Sequence, residues 1–210
     1  MTNRGQALRI IKELKREYPN AGTLLNFNNI FELTIAVALS AQTTDERVNQ
    51  VSRPLFARFP TPEAMAAADL EILEEIIRPV GLYRNKAKHI KALAQALVEQ
   101  YDGRIPDRLE ELIGLPGLGR KSANVILAVG FGKPGLGVDT HVQRVARRLG
   151  LASSDKPVQT ELELKKLIPQ NQWGPAHHLF IFHGRKVCKA RRPDCQSCRI
   201  RPVCEQNPDK

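Results

Sequence analysis

Lys121 is the residue of this chain best placed to act as a nucleophile, because the sequence sets it in the first turn of a helix directly after the LPGLGR stretch at 115–120. The positive end of the helix dipole and the neighbouring Arg120 both disfavour a protonated ammonium there. A neutral lysine amine can attack electrophilic carbon and form a Schiff base. Its plainer role is that of one more phosphate-binding cation. Further along, Val142, Val145, Ala146 and Leu149 repeat at helical spacing, so Asp139 or Thr140 is expected to cap that helix. A carboxylate fixed by capping near a lysine can also accept its proton and stabilise positive charge developing on a substrate.

The second chemical feature is the set of four cysteines, Cys188, Cys195, Cys198 and Cys204, spaced C-x6-C-x2-C-x5-C. Disulfides are not expected, since no secretory signal is apparent and clustered cysteines in such a chain more often hold metal. Structural zinc usually takes paired short knuckles, and here only one short pair exists. The wider gaps suit a bulkier iron-sulfur cluster, with zinc the alternative; a brown colour would separate the two. Between the first two cysteines, Lys189, Arg191 and Arg192 put three cations into one short loop. That arrangement fits a phosphate contact pinned by metal.

These residues need elements to position them. Leu109, Leu112 and Ile113 form a short amphipathic helix, LPGLG interrupts it, and residues 123–129 continue as another, giving a helix-hairpin-helix at about 107–131. Gly117 and Gly119 carry no Cβ to obstruct approach, so amides of the turn and of the second helix's start can meet a phosphate, with Arg120 beside them. Such contacts position a protein on nucleic acid without reading its sequence. The bland alternative is an ordinary helical corner. A formal net charge of +10 favours the phosphate reading, because summed positive potential draws polyanions. Nucleic acid is favoured over membrane, since the apolar runs at 30–41 and 125–132 fall well short of the ~20 residues that span a bilayer.

Helical periodicity recurs along the whole chain, most cleanly in Ile90, Leu93, Ala94, Leu97, Val98 and Tyr101, and sustained strand alternation is absent. The fold class is therefore all-α. Asn29 with Glu32 and Asp107 with Glu110 have capping-box spacing, and Thr61-Pro62 reads as an N-cap followed by a first-turn proline. The apolar run Ile30 to Leu39 is read as a buried helix rather than a strand, on its length and its preceding cap. The N-terminal stretch has early cations, but Ala7, Ile10, Ile11, Leu14 and Tyr18 form a helical stripe and Glu13 and Glu17 are unlike a presequence. A cytosolic or nucleoid protein is expected, with a domain crossing in the glycine-rich segment 132–137. The 210 residues suffice for one large or two small domains.

Taken together, LPGLGRKSANVILAVGFGKPGLGVDTHVQRVARRLGL, the upstream LSAQTTD and VGLYRNKA, and the terminal cysteine pattern resemble the endonuclease III family of helix-hairpin-helix DNA glycosylases. The resemblance covers essentially the whole chain. It implies a six-helix domain at 22–132 containing the hairpin, and a discontinuous domain of 1–21 plus 133–210 around a [4Fe-4S] cluster held by the four cysteines at 188–204. Double-stranded DNA with damaged pyrimidines or abasic sites would lie in the groove between them, bound by a monomer in the cytoplasm at the nucleoid.

By that resemblance Lys121 is the Schiff-base lysine and Asp139 the catalytic aspartate, facing it across the groove. A base flipped out of the stack leaves a hole. Gln42 and Leu82 are the implied fillers, the amide bonding the orphaned base and the leucine wedging the stack; read alone, they are a helix-end polar residue and a core leucine. His141 matches a family position near the active site. The implied reaction removes an oxidised pyrimidine through Lys121 attack at C1′, opens the sugar to an imine, and cuts 3′ to the lesion by β-elimination.

Gly-Leu-x-Arg-x-x-Ala recurs 36 residues apart, at Gly81 and Gly117, which suggests a second hairpin-like contact. The sequence leaves three rivals. The adenine glycosylase acting opposite 8-oxoguanine lacks a lysine at this position and carries a further C-terminal domain, whereas Lys210 follows closely on Cys204. A thymine-mismatch glycosylase is disfavoured by the same lysine. From a different class comes a noncatalytic DNA-binding module with a zinc-stapled tail.

Overall fold

The computed structural model describes residues 3–206, all helices and connecting turns. Two compact units divide the chain: Leu24–Lys133, called here the hairpin unit, and Met1–Thr23 with Pro134–Lys210, called the split unit.

Seven helical segments build the hairpin unit: α2 (Ile30–Leu39), α3 (Asp45–Arg58), α4 (Pro62–Ala66), α5 (Leu70–Ile77), α6 (Tyr83–Tyr101), α7 (Leu109–Gly114) and α8 (Arg120–Gly130). Helix α2 is apolar on every side, as befits a central element, and it packs against α3, α6 and α8. Its one buried charge, Glu32, caps the chain rather than lying idle. The carboxylate accepts from the Asn28 amide at 2.7 Å and from the Asn28 side chain at 3.0 Å, while Asn29 accepts from the Glu32 amide at 2.9 Å. The reciprocal bond of the expected capping box therefore lands one residue early. Around α2 the core is filled by Leu33, Ile35, Leu39, Leu55, Met65, Leu73, Ile90 and Leu93, all fully buried. Of the sequence stripe on α6, Val98 alone turns to solvent.

Thr61 caps α4 with Pro62 in the first turn, as the sequence indicates. Asp107 does not cap. Helix α7 starts one residue later than expected, with Arg108 at the cap position and no side-chain bond, because the Asp107 carboxylate is taken by the Lys133 ammonium at 2.6 Å. The suggested second hairpin also fails on geometry. Leu118 is buried, whereas its counterpart Leu82 is 62% exposed. The left-handed residue is Gly117 in one turn and Leu82 itself in the other.

The split unit contains α1 (Asn3–Glu17), α9 (Thr140–Arg148), α10 (Pro157–Leu167) and α11 (Trp173–Lys186), with 3₁₀ turns at Gln170–Gln172 and Arg201–Val203. The stripe Ala7, Ile10, Ile11, Leu14 and Tyr18 is buried throughout. It meets Phe180 and Leu179 of α11, Val142, Val145 and Leu149 at α9, and Leu164 of α10 in a second core. The N-terminal helix is thus a structural part of this unit. Truncating a side chain as completely buried as Phe180 is worth roughly 3–5 kcal/mol in such a core.

Candidate functional site

In the hairpin unit, α7 and α8 are joined by a turn that Leu115 and Leu118 anchor in the core, with Leu118 N–H donating to Leu115 C=O at 3.2 Å. The two turn glycines serve different needs. Gly117 has φ +76°, and a Cβ there would lie 2.9 Å from the His89 Cβ. Gly119 has φ −99° at the cap position of α8, and a Cβ would meet nothing within 4 Å. Gly117→Ala should therefore cost about 1–3 kcal/mol through backbone strain and the His89 clash. Gly119→Ala should cost under about 1 kcal/mol. Urea unfolding of the two variants checks the contrast, and equal losses would mean that the turn is not shaped as described.

Helix α8 begins without a side-chain cap and without an acid in its first turn. The positive end of its dipole, with no acid to offset it, favours an anion there. Arg120 and Lys121 are its first two residues, both half-buried. Asn124, one turn on and buried, donates from its side chain to the Arg120 carbonyl at 3.0 Å.

Two further sequence candidates stand on adjoining turns of the same unit. Gln42 follows the end of α2 and Leu82 precedes α6, and both are exposed. Their φ values are +52° and +58°, a region that side chains other than glycine rarely adopt. A Cβ on Gly81 would lie 3.7 Å from the Gln42 carbonyl oxygen, so the two turns touch. Among the described residues only Asp102 and Arg192 share this left-handed backbone without being glycine. Asp102 is the C-cap of α6. Arg192 is another of the candidates.

In the split unit Asp139, not Thr140, caps α9: its Oδ1 accepts from the Val142 amide at 2.8 Å. His141, on the first turn, has Nδ1 3.0 Å from the Arg144 guanidinium. A guanidinium only donates, so the ring can join this contact only as an acceptor through Nδ1. Burial lowers the His141 pKa, with Arg144 and Arg185 adding to that and Asp139 and a bond to the Gly184 backbone opposing it.

The cysteine segment is fastened to α9 by two arginines that the sequence reading did not single out. Arg144 donates to the Cys188 carbonyl at 3.1 Å; Arg148 donates to the carbonyls of Lys189 at 2.7 Å and Ala190 at 3.1 Å. Their four-residue spacing on one helix face was the available signal. With the backbone so held, the side chains of Lys189, Arg191 and Arg192 are exposed. All four cysteines line a cavity of about 200 Å³ with His183, Leu149 and Pro193. Burial raises the Cys198 thiol pKa, and the nearby Cys204, Cys188 and Cys195 push the same way.

Among the described residues no three His, Cys, Asp or Glu side chains converge as ligands of one ion. Four thiols around one cavity are the donor set of either a tetrahedral zinc or an iron-sulfur cluster. Arg148 also points an N–H at the Cys188 sulfur, 3.4 Å away, and His183 Nε2 lies 3.8 Å from the Cys198 sulfur.

A family model for the HhH-GPD superfamily base excision DNA repair protein matches residues 35–170, and the chain belongs to that superfamily. The matched span includes Gln42, Leu82, the hairpin, Asp139 and His141 and ends ahead of the cysteines. Within the superfamily it belongs to the endonuclease III family. It is 46% identical to the endonuclease III of Synechocystis over 95% of this chain and 91% of that one. It is 45% identical to that of Bacillus subtilis over 90% of this chain and 87% of the relative. Among solved structures, a trapped endonuclease III–DNA covalent intermediate aligns with a TM-score of 0.93 at 44% identity, covering 99% of this chain and 98% of its own.

Proposed function

We propose that this chain is a bifunctional DNA glycosylase and abasic-site lyase of base excision repair, acting on oxidised pyrimidines in duplex DNA. The observation that carries the reading is its likeness, over nearly its whole length, to an endonuclease III trapped in a covalent intermediate with DNA. Within this chain, the residue types and local geometry at Lys121 and Asp139 suit that chemistry.

The hairpin turn and the uncapped start of α8 grip a phosphate, as helix N-termini do. The damaged nucleotide leaves the stack, and exposed Leu82 and Gln42 occupy the vacated space. Lys121, as the neutral amine, attacks C1′; the C1′–N bond breaks, and the base departs with its electron pair and takes up a proton. Asp139 accepts the proton lost by the lysine and stabilises the positive charge that gathers on the sugar. The ring opens to an imine, the C2′ proton is removed, and the 3′ phosphate leaves by β-elimination. Electrons are neither gained nor lost in this sequence. His141, kept neutral chiefly by burial, is available near Asp139 as an N–H donor to the DNA.

Cys188, Cys195, Cys198 and Cys204 would hold a [4Fe-4S] cluster, which when bound ties the 188–204 segment into one rigid loop. The loop's part in the reaction is to present Lys189, Arg191 and Arg192 to phosphate. Reversing those three charges should weaken binding similarly for every DNA sequence, and should flatten the salt dependence by about 0.9 log unit for each phosphate no longer neutralised. Binding titrations at several salt concentrations read this directly, and an unchanged slope would remove the loop from the interface. Among the described residues no helix is long and apolar enough to cross a membrane. The protein acts as a monomer at the nucleoid.

Borohydride trapping on a duplex with one thymine glycol, followed by peptide mapping, tests the whole proposal. The expected result is a covalent adduct at Lys121. Intact binding with no adduct, on an abasic-site duplex as well, would leave a monofunctional glycosylase or a noncatalytic binder.

A further inference from the structure

Lys86 is 6% exposed, on the first turn of α6, in a chain whose other lysines mostly reach solvent. Burying an ammonium is expensive unless it is well bonded. Burial lowers its pKa accordingly. Its ammonium donates to the Thr43 hydroxyl at 2.6 Å. That hydroxyl in turn lies 3.4 Å from the Ala41 carbonyl, to which it donates, and the Thr43 amide donates to the Ser40 carbonyl at 3.2 Å. The bonds therefore pass from Lys86 to Thr43 and around Gln42, which they enclose. On its own helix the Lys86 amide donates to the Leu82 carbonyl at 3.1 Å. The Lys86 side chain thus ties the Gln42 turn to the first turn of α6, which follows Leu82 and whose own main-chain bonding holds the Leu82 carbonyl.

We infer that Lys86, acting through the Thr43 hydroxyl, is a positioning residue that locks Gln42 and Leu82 into the paired left-handed turns from which they enter the DNA stack. The inference rests on the proposed roles of those two side chains. Left-handed backbone at a non-glycine residue costs on the order of 1–3 kcal/mol and persists only where the surroundings over-determine it. A glutamine and a leucine held that way are aimed before DNA arrives. Without the lock each turn relaxes toward ordinary backbone, and the ordering must occur during binding. Lys86 touches neither the sugar nor the base, so its effect is on insertion rather than on the chemistry of the imine.

The test uses the full-length protein on a duplex with thymine glycol opposite 2-aminopurine, whose fluorescence rises when the base is unstacked. Wild type should give the rise. Thr43→Val, which keeps the shape and loses the hydroxyl, and Lys86→Met should both lose most of it and slow base removal by roughly tenfold to a hundredfold, as misplacement of a positioned group does. Thr43→Ser should restore the signal. Melting temperature and helical circular dichroism separate loss of the lock from loss of the fold, and Thr43→Val, at a half-exposed position, keeps the test open if Lys86→Met does not fold. Leu82→Ala and Gln42→Ala run alongside. If neither alters the signal, the assigned insertion roles are wrong. If both do while Thr43→Val and Lys86→Met behave as wild type, the insertion roles stand and the lock is wrong.

Discussion

Lys121→Gln is expected to bind lesion-containing duplex almost as well as the wild type and to lose strand cleavage by roughly a thousandfold or more, the scale on which removing a covalent nucleophile acts. Glutamine is close to lysine in length and is a good helix former, so the first turn of α8 should be undisturbed. The hairpin's shape rests on other residues: Leu115 and Leu118 in the core, and Gly117 against His89. What the substitution removes is the amine, and with it the imine that borohydride would reduce. The competing view, that Lys121 is a phosphate-binding cation, makes a different forecast. It expects weaker binding, a salt slope flatter by about one unit, and cleavage that recovers at saturating enzyme. Single-turnover cleavage at saturating protein separates the two. Wild-type cleavage by Lys121→Gln under those conditions would place the nucleophile elsewhere.

The parts of this protein that were legible in its sequence are those fixed by local rules. Helical periodicity located the buried stripe of α1. Capping chemistry located the starts of α2, α4 and α9, where Asn29, Thr61 and Asp139 each accept from the amide three residues on. The hairpin was legible because two glycines and a proline in five residues leave few conformations open. Asp107 was misread for a reason of the opposite kind. Its capping-box spacing is sound, but Lys133, distant in sequence, competes for the carboxylate and takes it.

Backbone handedness was also hidden. Nothing in LSAQTTD or VGLY requires a positive φ at Gln42 or Leu82, and neither residue favours one. The contact between their turns and the buried Lys86 bond imposes it, and both arise only when α2 and α6 are packed. For the same reason Gly-Leu-x-Arg-x-x-Ala was a misleading echo, since one leucine is drawn into the core and the other is left outside. Arg144 and Arg148 read as surface cations until the carbonyls of the cysteine segment are seen to meet them. The resemblance to a family supplied candidates at positions where local rules were silent.

In the proposed mechanism structural and catalytic duties coincide on the Asp139 carboxylate, and Asp139→Asn should separate them. Asparagine is as good an N-cap as aspartate, and its side-chain oxygen can take the Val142 amide that Oδ1 now accepts at 2.8 Å. What is lost is the negative charge. At the start of α9 that charge interacts with the helix dipole for about 0.3–1 kcal/mol, a small part of the stability of a domain of this size. In the proposed reaction the same charge serves as proton acceptor and as the counterpart of a developing cation, contributions usually worth about 10²- to 10⁴-fold in rate. Asp139→Asn should therefore melt close to the wild type and remove bases some hundredfold or more slowly. Asp139→Ala should show that same rate loss with roughly 1 kcal/mol less stability, because it forfeits the cap as well. Thermal melts and single-turnover rates for both variants decide the matter. If the asparagine variant excises at wild-type rate and the alanine variant is slow only in proportion to its lost stability, Asp139 is a helix cap and nothing more.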